Sequence, residues 1–333
     1  MSELALTPLV GQVFDAFSSS GIWFGIGVIA GTFTIFALGL QLNVGFTGID
    51  NFGQAGFMAV GAYTMAILVT GGPEETGPMV SFWLALPIAI AVTCLFGLLV
   101  GLSAVRLRSD YLAIATIAAA EAVRLFALNA QTITGGPQGL IGFDDSWDEV
   151  SDSIESGLEW LGWSNPDSLV PLFLVVWGVA LILTFIMWRI QKTPWGRVLR
   201  AVREDEDAAR ALGKNAFSYK LQSLVIAGAF GAIAGFFLAL NTRTVLPDEF
   251  LPILTFLGYV VLVLGGLANY WGIGLGAILF SILYYGLRFI DVPLSGVQLS
   301  ALSYILVGLT LILLMAFRPQ GMFGKKEEMV LGD

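Results

Sequence analysis

Glu121 and Arg124 form the one pair of opposite charges that lies well inside an apolar stretch of this sequence, "IAAAEAVRLFAL" at 117–128. Side chains at this spacing on a helix lie one turn apart, so the carboxylate and the guanidinium can form an ion pair. Such a pair either stabilises a helix bundle from within or contacts a zwitterionic solute, whose ammonium and carboxylate groups match the two side chains. The sequence leaves both interpretations open.

A second group of polar residues lies in a glycine-rich stretch, "LNVGFTGIDNFGQAGFMAVGAYT" at 42–64. Glycine lowers helix stability by about 1 kcal/mol per residue relative to alanine, so this stretch makes a poor continuous helix. Its amide and carboxylate side chains are those of Asn43, Asp50, Asn51 and Gln54. Together with Glu121 and Arg124, these residues are the candidates for a solute path.

The third group is the charged stretch "TPWGRVLRAVREDEDAARALG" at 193–213, in a chain with only 12% charged residues. Arg197, Arg200 and Glu204 recur at intervals of three and four, and the alanine-rich part favours a helix. Pro194 suits a helix start, and Gly213 suits a helix end. The pattern predicts a short surface helix. Its candidate functional residues are Gly196, Arg197, Arg200, Arg203, Glu204, Asp207, Ala208, Ala209 and Gly213.

Other kinds of chemistry are excluded by composition. The chain has one cysteine, Cys94, and no histidine, which excludes an internal disulfide, a Cys/His metal site and a histidine general base. It also lacks a P-loop sequence, so it cannot hydrolyse ATP with that motif. We therefore expect a protein that is not an enzyme and binds no cofactor or metal of its own.

Long apolar stretches must position these residues. With 56% hydrophobic residues and a mean hydropathy of +0.82, the chain is typical of polytopic membrane proteins. We expect an all-α integral membrane bundle of about eight to ten transmembrane helices. The glycine-rich stretch is then either a cytoplasmic-side turn or a discontinuous helix on a solute path. The predicted spans lie near 22–41, 80–105, 111–130, 169–190, 218–240, 251–268, 272–290 and 299–317, with a ninth candidate at 55–70.

Basic residues predict the orientation, because loops retained in the cytoplasm collect Lys and Arg. Most of the 16 basic residues lie at 106–108, 189–220 and 318–326. We expect a single transmembrane domain over residues 1–333, with a cytoplasmic coupling loop at 191–217 and a cytoplasmic tail at 318–333. The amino terminus is outside if both early apolar runs span the membrane.

The opposite side of the membrane carries an acidic loop at 143–168, which contains no Lys or Arg. Val150, Ile154, Leu158 and Leu161 share one face of a predicted amphipathic helix. The tryptophans of the loop, Trp147, Trp160 and Trp163, are expected at headgroup depth. The loop is either simply solvated or a receiving surface for an external protein. The pI near 4.5 argues against nucleic acid as a partner.

Several blocks in the same order along the chain resemble the permeases of branched-chain amino acid ABC transporters of the LivM type, roughly over residues 30–324. Asp207, Ala208, Ala209 and Gly213 reproduce, with Asp in place of Glu, the Glu-Ala-Ala-x-x-x-Gly pattern of the coupling loop in ABC importer permeases. The other blocks are 42–64, "RLRSDYLAIATIAAAEAVRL" at 106–125, "TGGPQGL" at 134–140, "VLGGLANYWGIGLGA" at 263–277 and "FRPQGMFG" at 317–324.

The resemblance implies a division of labour. In that family the coupling helix docks into a groove on an ATPase subunit, and ATP is used by the partners. The implied partners are two ABC ATPase subunits, a second related permease chain, an extracytoplasmic substrate-binding protein and the lipid bilayer. The implied function is import of branched-chain or other hydrophobic amino acids by alternating access, across the plasma (inner) membrane of a prokaryote.

Two alternatives remain from the sequence. Permeases for urea or short amides share much of the same pattern. An ion-coupled secondary transporter would need titratable coupling sites, for which Asp50 and Glu121 are the candidates.

Overall fold

A computed structural model of the chain describes residues 20–73, 77, 79–107, 109–163, 167–286, 295–317 and 321–322. Within these ranges the regular structure is helical, with one isolated antiparallel bridge between Leu140 and Val245. The helices are α1 (Ser20–Leu40), continued by a π-helical turn (Gln41–Thr47), α2 (Gln54–Thr70), α3 (Phe82–Ala104), α4 (Ser109–Asn129), α5 (Gln131–Thr134), α6 (Asp145–Trp160), α7 (Val170–Ile190), α8 (Pro194–Glu204), α9 (Glu206–Ala211), α10 (Ala216–Thr242), α11 (Ile253–Gly265), α12 (Tyr270–Tyr285) and α13 (Gly296–Phe317).

Five of the described helices are long and apolar enough to cross a bilayer, namely Gly21–Thr47, Phe82–Ala104, Asp110–Asn129, Val170–Ile190 and Ala216–Thr242. Helices α11 and α12 pass the same test together, but they are bent by 117° at the break between them. Helix α2 and the part Gln298–Leu313 of α13 are apolar but shorter. A polytopic, all-helical membrane protein is therefore confirmed. The runs predicted at 251–268 and 272–290 are the two arms of the bent pair, the second extending beyond the described residues.

The core forms where small residues let helix backbones touch. A Cβ on Gly61 of α2 would collide with Ala232 of α10, and one on Gly235 of α10 would collide with the backbone of Met58. On the other side of α2, a Cβ on Gly56 would lie 2.6 Å from the Cα of Ala120 in α4. Gly56 and Gly61 of the glycine-rich stretch therefore serve close helix packing.

The acidic loop at 143–168 contains helix α6, as expected, but its tryptophans do not share one environment. Trp147 is buried in the hydrophobic core, whereas Trp160 is 86% exposed and Trp163 is also exposed. The ring of Trp147 therefore packs inward against the bundle, and the headgroup depth of the three tryptophans stays a prediction. Arg243, after α10, anchors the loop by ion pairs to Asp144 and Asp148 at 3.2 and 2.9 Å.

The predicted cytoplasmic tail at 318–333 lies outside the described residues, except for Gly321 and Met322. The backbone N–H of Met322 donates to the carbonyl of Leu264 at 3.3 Å. The start of the tail therefore returns to the bundle at the end of α11.

Candidate functional site

The predicted coupling helix is two short helices that meet at Asp205. Thr193 caps α8 by accepting from the N–H of Gly196, and Asp205 caps α9 by accepting from the N–H of Ala208 at 2.9 Å. Asp205 has an extended backbone, so the helix cannot run continuously through it. The expectation of one helix is corrected in this respect. Gly213 has a φ of 77° and follows α9 in the left-handed conformation, as its position predicts.

We name residues 193–213 the coupling segment, and its predicted residues divide between two faces. Gly196 and Ala209 are buried and hold the segment to the bundle, and Arg203 is half-buried. Leu212 is 81% exposed, an unusual position for a large apolar side chain. The remaining predicted residues form the exposed face, which consists of Arg197, Arg200, Glu204, Asp207, Ala208 and Gly213.

The coupling segment packs on the π-helical turn that follows α1. The guanidinium of Arg203 donates to the carbonyl of Gly45. A Cβ on Gly48 would lie 3.2 Å from the Cγ of Arg203, and the guanidinium carbon of Arg200 lies 5.3 Å from the ring centre of Phe46. The last carbonyl groups of a helix have no partner within it, and Arg203 satisfies that of Gly45 near the end of the π-helical turn.

Residues 48–53, which we name the first break, interrupt the chain between the π-helical turn and α2. Gly48 has a φ of 69°, and three buried amides hold the surrounding backbone. Asn51 donates to Gln54 at 3.0 Å and accepts from the N–H of Gly53 at 3.0 Å. Gln54 in turn donates to the carbonyl of Ala227 in α10 at 2.8 Å.

Asn43 and Asp50 complete the predicted polar residues of this stretch. Asn43 is fully buried, and its side-chain oxygen accepts from the hydroxyl of Ser223 at 2.9 Å. Asp50 is half-buried. The structure thus brings four of the six predicted path residues together around the first break, where Asn43, Asn51 and Gln54 are enclosed by protein.

Residues 266–269, the second break, lie against the π-helical turn that precedes the first break. The rings of Phe46 and Tyr270 stack with centroids 4.7 Å apart. The hydroxyl of Tyr259 donates to the carbonyl of Asn51 at 2.9 Å. With its amide oriented to satisfy its neighbours, Gln41 accepts from the backbone N–H groups of Ala268 and Asn269 at 2.5 and 2.7 Å. The two interrupted helices therefore meet at their interruptions.

Glu121 and Arg124, the other predicted path residues, lie farther along α4, the helix that contacts the first break through Thr116. The guanidinium of Arg124 contacts both carboxylate oxygens of Glu121, the shortest N–O distance being 2.6 Å. It also contacts Asp248 at 3.3 Å. The ion pair is confirmed. Sequence reasoning missed its third member, for which the acidic "PDEF" turn between two apolar runs was the available signal.

A cavity of about 360 Å³ begins beside Asp248 and extends between α1, α10, α11 and α12. Its walls are mainly apolar and aromatic, and Asp248 and Glu249 are the acidic residues that line it. Burial raises the pKa of the Glu249 carboxyl above its usual value, although hydrogen bonds from the Leu246 backbone and the Thr242 side chain act in the opposite direction. The walls include Phe33, Phe36, Met58, Leu254, Leu257 and Tyr284.

Comparison with known proteins gives one consistent family. The sequence model described as "Branched-chain amino acid transport system / permease component" matches residues 22–315. The high-affinity branched-chain amino acid transport system permease protein LivM of Escherichia coli (strain K12) is 33% identical over 312 residues, covering 89% of this chain and 69% of that protein. A probable branched-chain amino acid transport permease protein LivM of Methanocaldococcus jannaschii is 29% identical over 349 residues, covering 94% of each chain.

A more distant similarity extends to another class of permease. The nucleoside ABC transporter permease protein NupC of Lactococcus lactis is 27% identical over 190 residues, covering 56% of this chain and 57% of that protein. No solved structure matches the chain.

Proposed function

This chain belongs to the family of branched-chain amino acid transport permease components, and from that premise we propose that it carries branched-chain or other hydrophobic amino acids. It is a permease subunit of an ABC importer and a multi-pass protein of the plasma membrane, not an enzyme. The solute, the detailed path and the partner set are the proposed parts.

The proposed transmission of ATPase movement rests on the contact between the coupling segment and the chain around the first break. Arg203 and Arg200 join α8 to the π-helical turn at Gly45 and Phe46, so a displacement of α8 acts on a helix interruption rather than on a continuous helix. An interrupted helix can rotate about its break with fewer lost hydrogen bonds than an intact one. The coupling segment would thus convert ATPase movement into movement of α1 and α2.

The exposed tip of the coupling segment supports docking to an ATPase. Leu212 and the charged exposed face offer an apolar contact surrounded by polar groups, the usual composition of a protein interface. We propose two ABC ATPase subunits, which use the ATP, a second related permease chain and an extracytoplasmic substrate-binding protein as partners. This chain itself would bind no cofactor.

The cavity of about 360 Å³ beside Asp248 supports an amino acid as the solute. An ammonium group would lie against Glu249 and Asp248, and an aliphatic side chain would contact the apolar walls. Arg124, which pairs with Asp248 from outside the cavity, would attract the carboxylate. Met58 lines the cavity one turn after Gln54 in α2, so the same helix leads from the cavity to the first break. We propose that Asn43, Asp50, Asn51, Gln54, Glu121 and Arg124 act along this path.

The count of about eight to ten transmembrane helices also stands as a proposal. It requires α2, α11, α12 and α13 to lie within the bilayer together with the five long spans. The apolar character of all four supports this. Backbone breaks at membrane depth are tolerated where they are buried in protein, as Ile49, Asn51, Gly53 and Gly266 are here.

The decisive experiment measures uptake of labelled leucine and labelled urea in cells with and without this chain, with the ATP supply intact or depleted. We expect leucine uptake that depends on both the chain and ATP, and no chain-dependent urea uptake. Chain-dependent urea uptake would show that urea is a solute of this permease, and the ATP-driven mechanism would still stand. Uptake that survives ATP depletion would instead favour ion-coupled transport through Asp50 and Glu121.

A variant at Gly213 tests the docking role directly. A Cβ at this position meets no atom within 4 Å, so Gly213→Asp should fold and insert normally while placing a negative charge at the docking surface. We expect loss of ATPase association and of uptake. Gly213→Asn is the matched control, because Asn adopts the left-handed conformation comparably and adds no charge. Normal ATPase association and uptake in the Asp variant would contradict the docking role.

A further inference from the structure

A second cavity, of about 480 Å³, lies beside the second break and apart from the solute path, and it shares only Arg200 with the coupling contact. Trp188, Gln191 and Lys192 from the end of α7 line one side of it. Arg200 lines it from α8, and residues 267–271 close it at the start of α12. The cavity therefore lies where two apolar helices reach the surface that carries the basic residues.

Two unneutralised positive charges give this cavity its chemistry. Lys192 and Arg200 both line it, and none of the described residues that line it is acidic. Within the described part of the chain neither of them forms an ion pair. Instead, the Lys192 ammonium lies 3.6 Å from the ring centre of Trp188, a contact that leaves its N–H groups available to an anion. The described basic residues that do pair with carboxylates are Arg124, Arg210, Lys220 and Arg243.

Exposed apolar side chains lead away from the cavity along both helices. On α7, Leu181 and Phe185 lie one turn apart and are about half exposed, at 51% and 49%. On α12, Trp271 and Leu275 are each 49% exposed. Such faces lie in the hydrocarbon of a bilayer, and tryptophan at the end of a span marks the level of the headgroups. The two cations therefore stand at headgroup depth above a groove suited to acyl chains.

We propose that this cavity binds the headgroup of an anionic phospholipid. The phosphate lies between Lys192 and Arg200, and the acyl chains follow the exposed faces of α7 and α12. Basic pockets between transmembrane helices on the cytoplasmic side bind anionic headgroups by this combination of charge and apolar surface. A free phosphate would use the two cations but not the apolar faces. The placement in the cytoplasmic leaflet rests on the orientation given by the basic residues, and the proposal is independent of the solute carried.

The test uses the complete complex, with its partner subunits, reconstituted in nanodiscs that contain either phosphatidylglycerol mixed with phosphatidylcholine or phosphatidylcholine alone. Native mass spectrometry then counts the phosphatidylglycerol molecules that the complex retains after delipidation. We expect Lys192→Gln to weaken retention about fivefold, the factor that one basic residue near an anionic membrane surface supplies. The double variant Lys192→Gln/Arg200→Gln should weaken it about 25-fold if the two charges act additively.

Lys214→Gln is the matched control, because it removes one positive charge from an exposed position outside the cavity. It should leave retention within about twofold of the unaltered complex. Equal losses for Lys192→Gln and Lys214→Gln would overturn the proposal, since they would indicate only a general surface charge effect.

Two further outcomes would also overturn it. If inorganic phosphate at millimolar concentration displaces phosphatidylglycerol completely, the site is a simple anion site without acyl-chain contacts. If Lys192→Gln leaves lipid retention unchanged but releases the ATPase subunits, the cavity is part of a protein interface instead.

Discussion

At both helix breaks, backbone groups leave the helical pattern and need other hydrogen-bond partners. The two breaks obtain these partners in different ways. The first break carries its own hydrogen-bonding side chains, because Asn51 and Gln54 satisfy each other and the backbone around them. The second break has glycine and alanine at positive φ, 94° at Gly266 and 62° at Ala268. Its own Asn269 caps α12 by accepting from the N–H of Gly272, but its backbone N–H groups donate to Gln41 from the π-helical turn. A force applied through Arg203 therefore reaches the first break directly and the second only through its neighbours.

The largest effect is expected when the first break loses its own support. Gln54→Leu leaves the side-chain N–H groups of Asn51 buried without a partner and removes the second of two hydrogen bonds to the Ala227 carbonyl, which keeps its partner within α10. The free energy of unfolding should fall by about 2–3 kcal/mol. Thermal or denaturant unfolding of the purified complex measures this. Gln131→Leu, at an exposed position, is the control and should change stability by less than about 0.5 kcal/mol. Equal stability of the two variants would mean that the first break does not depend on its amides.

A smaller effect is expected when the left-handed turn of the first break is substituted. Gly48→Ala incurs a conformational penalty of about 1–2 kcal/mol for a left-handed residue, plus the contact with Arg203. Gly213→Ala shares a left-handed φ but meets no neighbour within 4 Å, so unfolding measurements on both isolate the Arg203 contact. If Gly213→Ala is destabilised as much as Gly48→Ala, the coupling segment does not press on the first break.

One hydrogen bond joins the first break to α11, the helix that leads into the second break. Tyr259→Phe removes the hydrogen bond to the Asn51 carbonyl while keeping the ring, which should lower the free energy of unfolding by about 1 kcal/mol. Tyr219→Phe, on a half-buried ring of α10, is the matched control and should have little effect. Leucine uptake should fall with Tyr259→Phe if the breaks move together, and unchanged uptake with reduced stability would assign the bond to folding alone.

The smallest change in the free energy of unfolding is expected at the second break. Any change there is an increase, whereas the variants above lower the free energy of unfolding. Ala268→Gly removes the left-handed strain of an alanine, so stability should be unchanged or should increase by up to about 1 kcal/mol. In an ordinary helical position such as Ala118, the same substitution should lower stability by about 0.5–1 kcal/mol. A loss at Ala268 equal to that at Ala118 would show that the second break gains nothing from glycine.

The sequence predicted those features that depend on neighbouring residues. Gly213 after α9 and the Glu121–Arg124 pair follow from local spacing, and the break after Gly48 follows from clustered glycines. The division of the coupling segment at Asp205 was also local, since Asp is a favoured helix cap, but the alanine-rich stretch suggested one continuous helix.

The sequence could not predict contacts between residues that lie far apart in the chain. Asp248 joins Arg124 from a different helix, Tyr259 joins Asn51, and Tyr270 stacks on Phe46, contacts that no periodicity reveals. Trp147 illustrates the same limit, because an amphipathic pattern cannot distinguish a lipid-facing ring from one covered by its own bundle.

The close contact between α2 and α10 has a consequence for how this molecule can vary. Where Gly61 meets Ala232 and Gly235 meets Met58, even one added carbon atom has no space. The two helices therefore act as a fixed frame, and neither can slide along the other without separating. A movement that the coupling segment transmits to α2 therefore carries α10 with it, and the accompanying changes of shape occur at the two breaks and at looser contacts such as those of α6 and α13. A chimaera with another permease is best joined outside this frame.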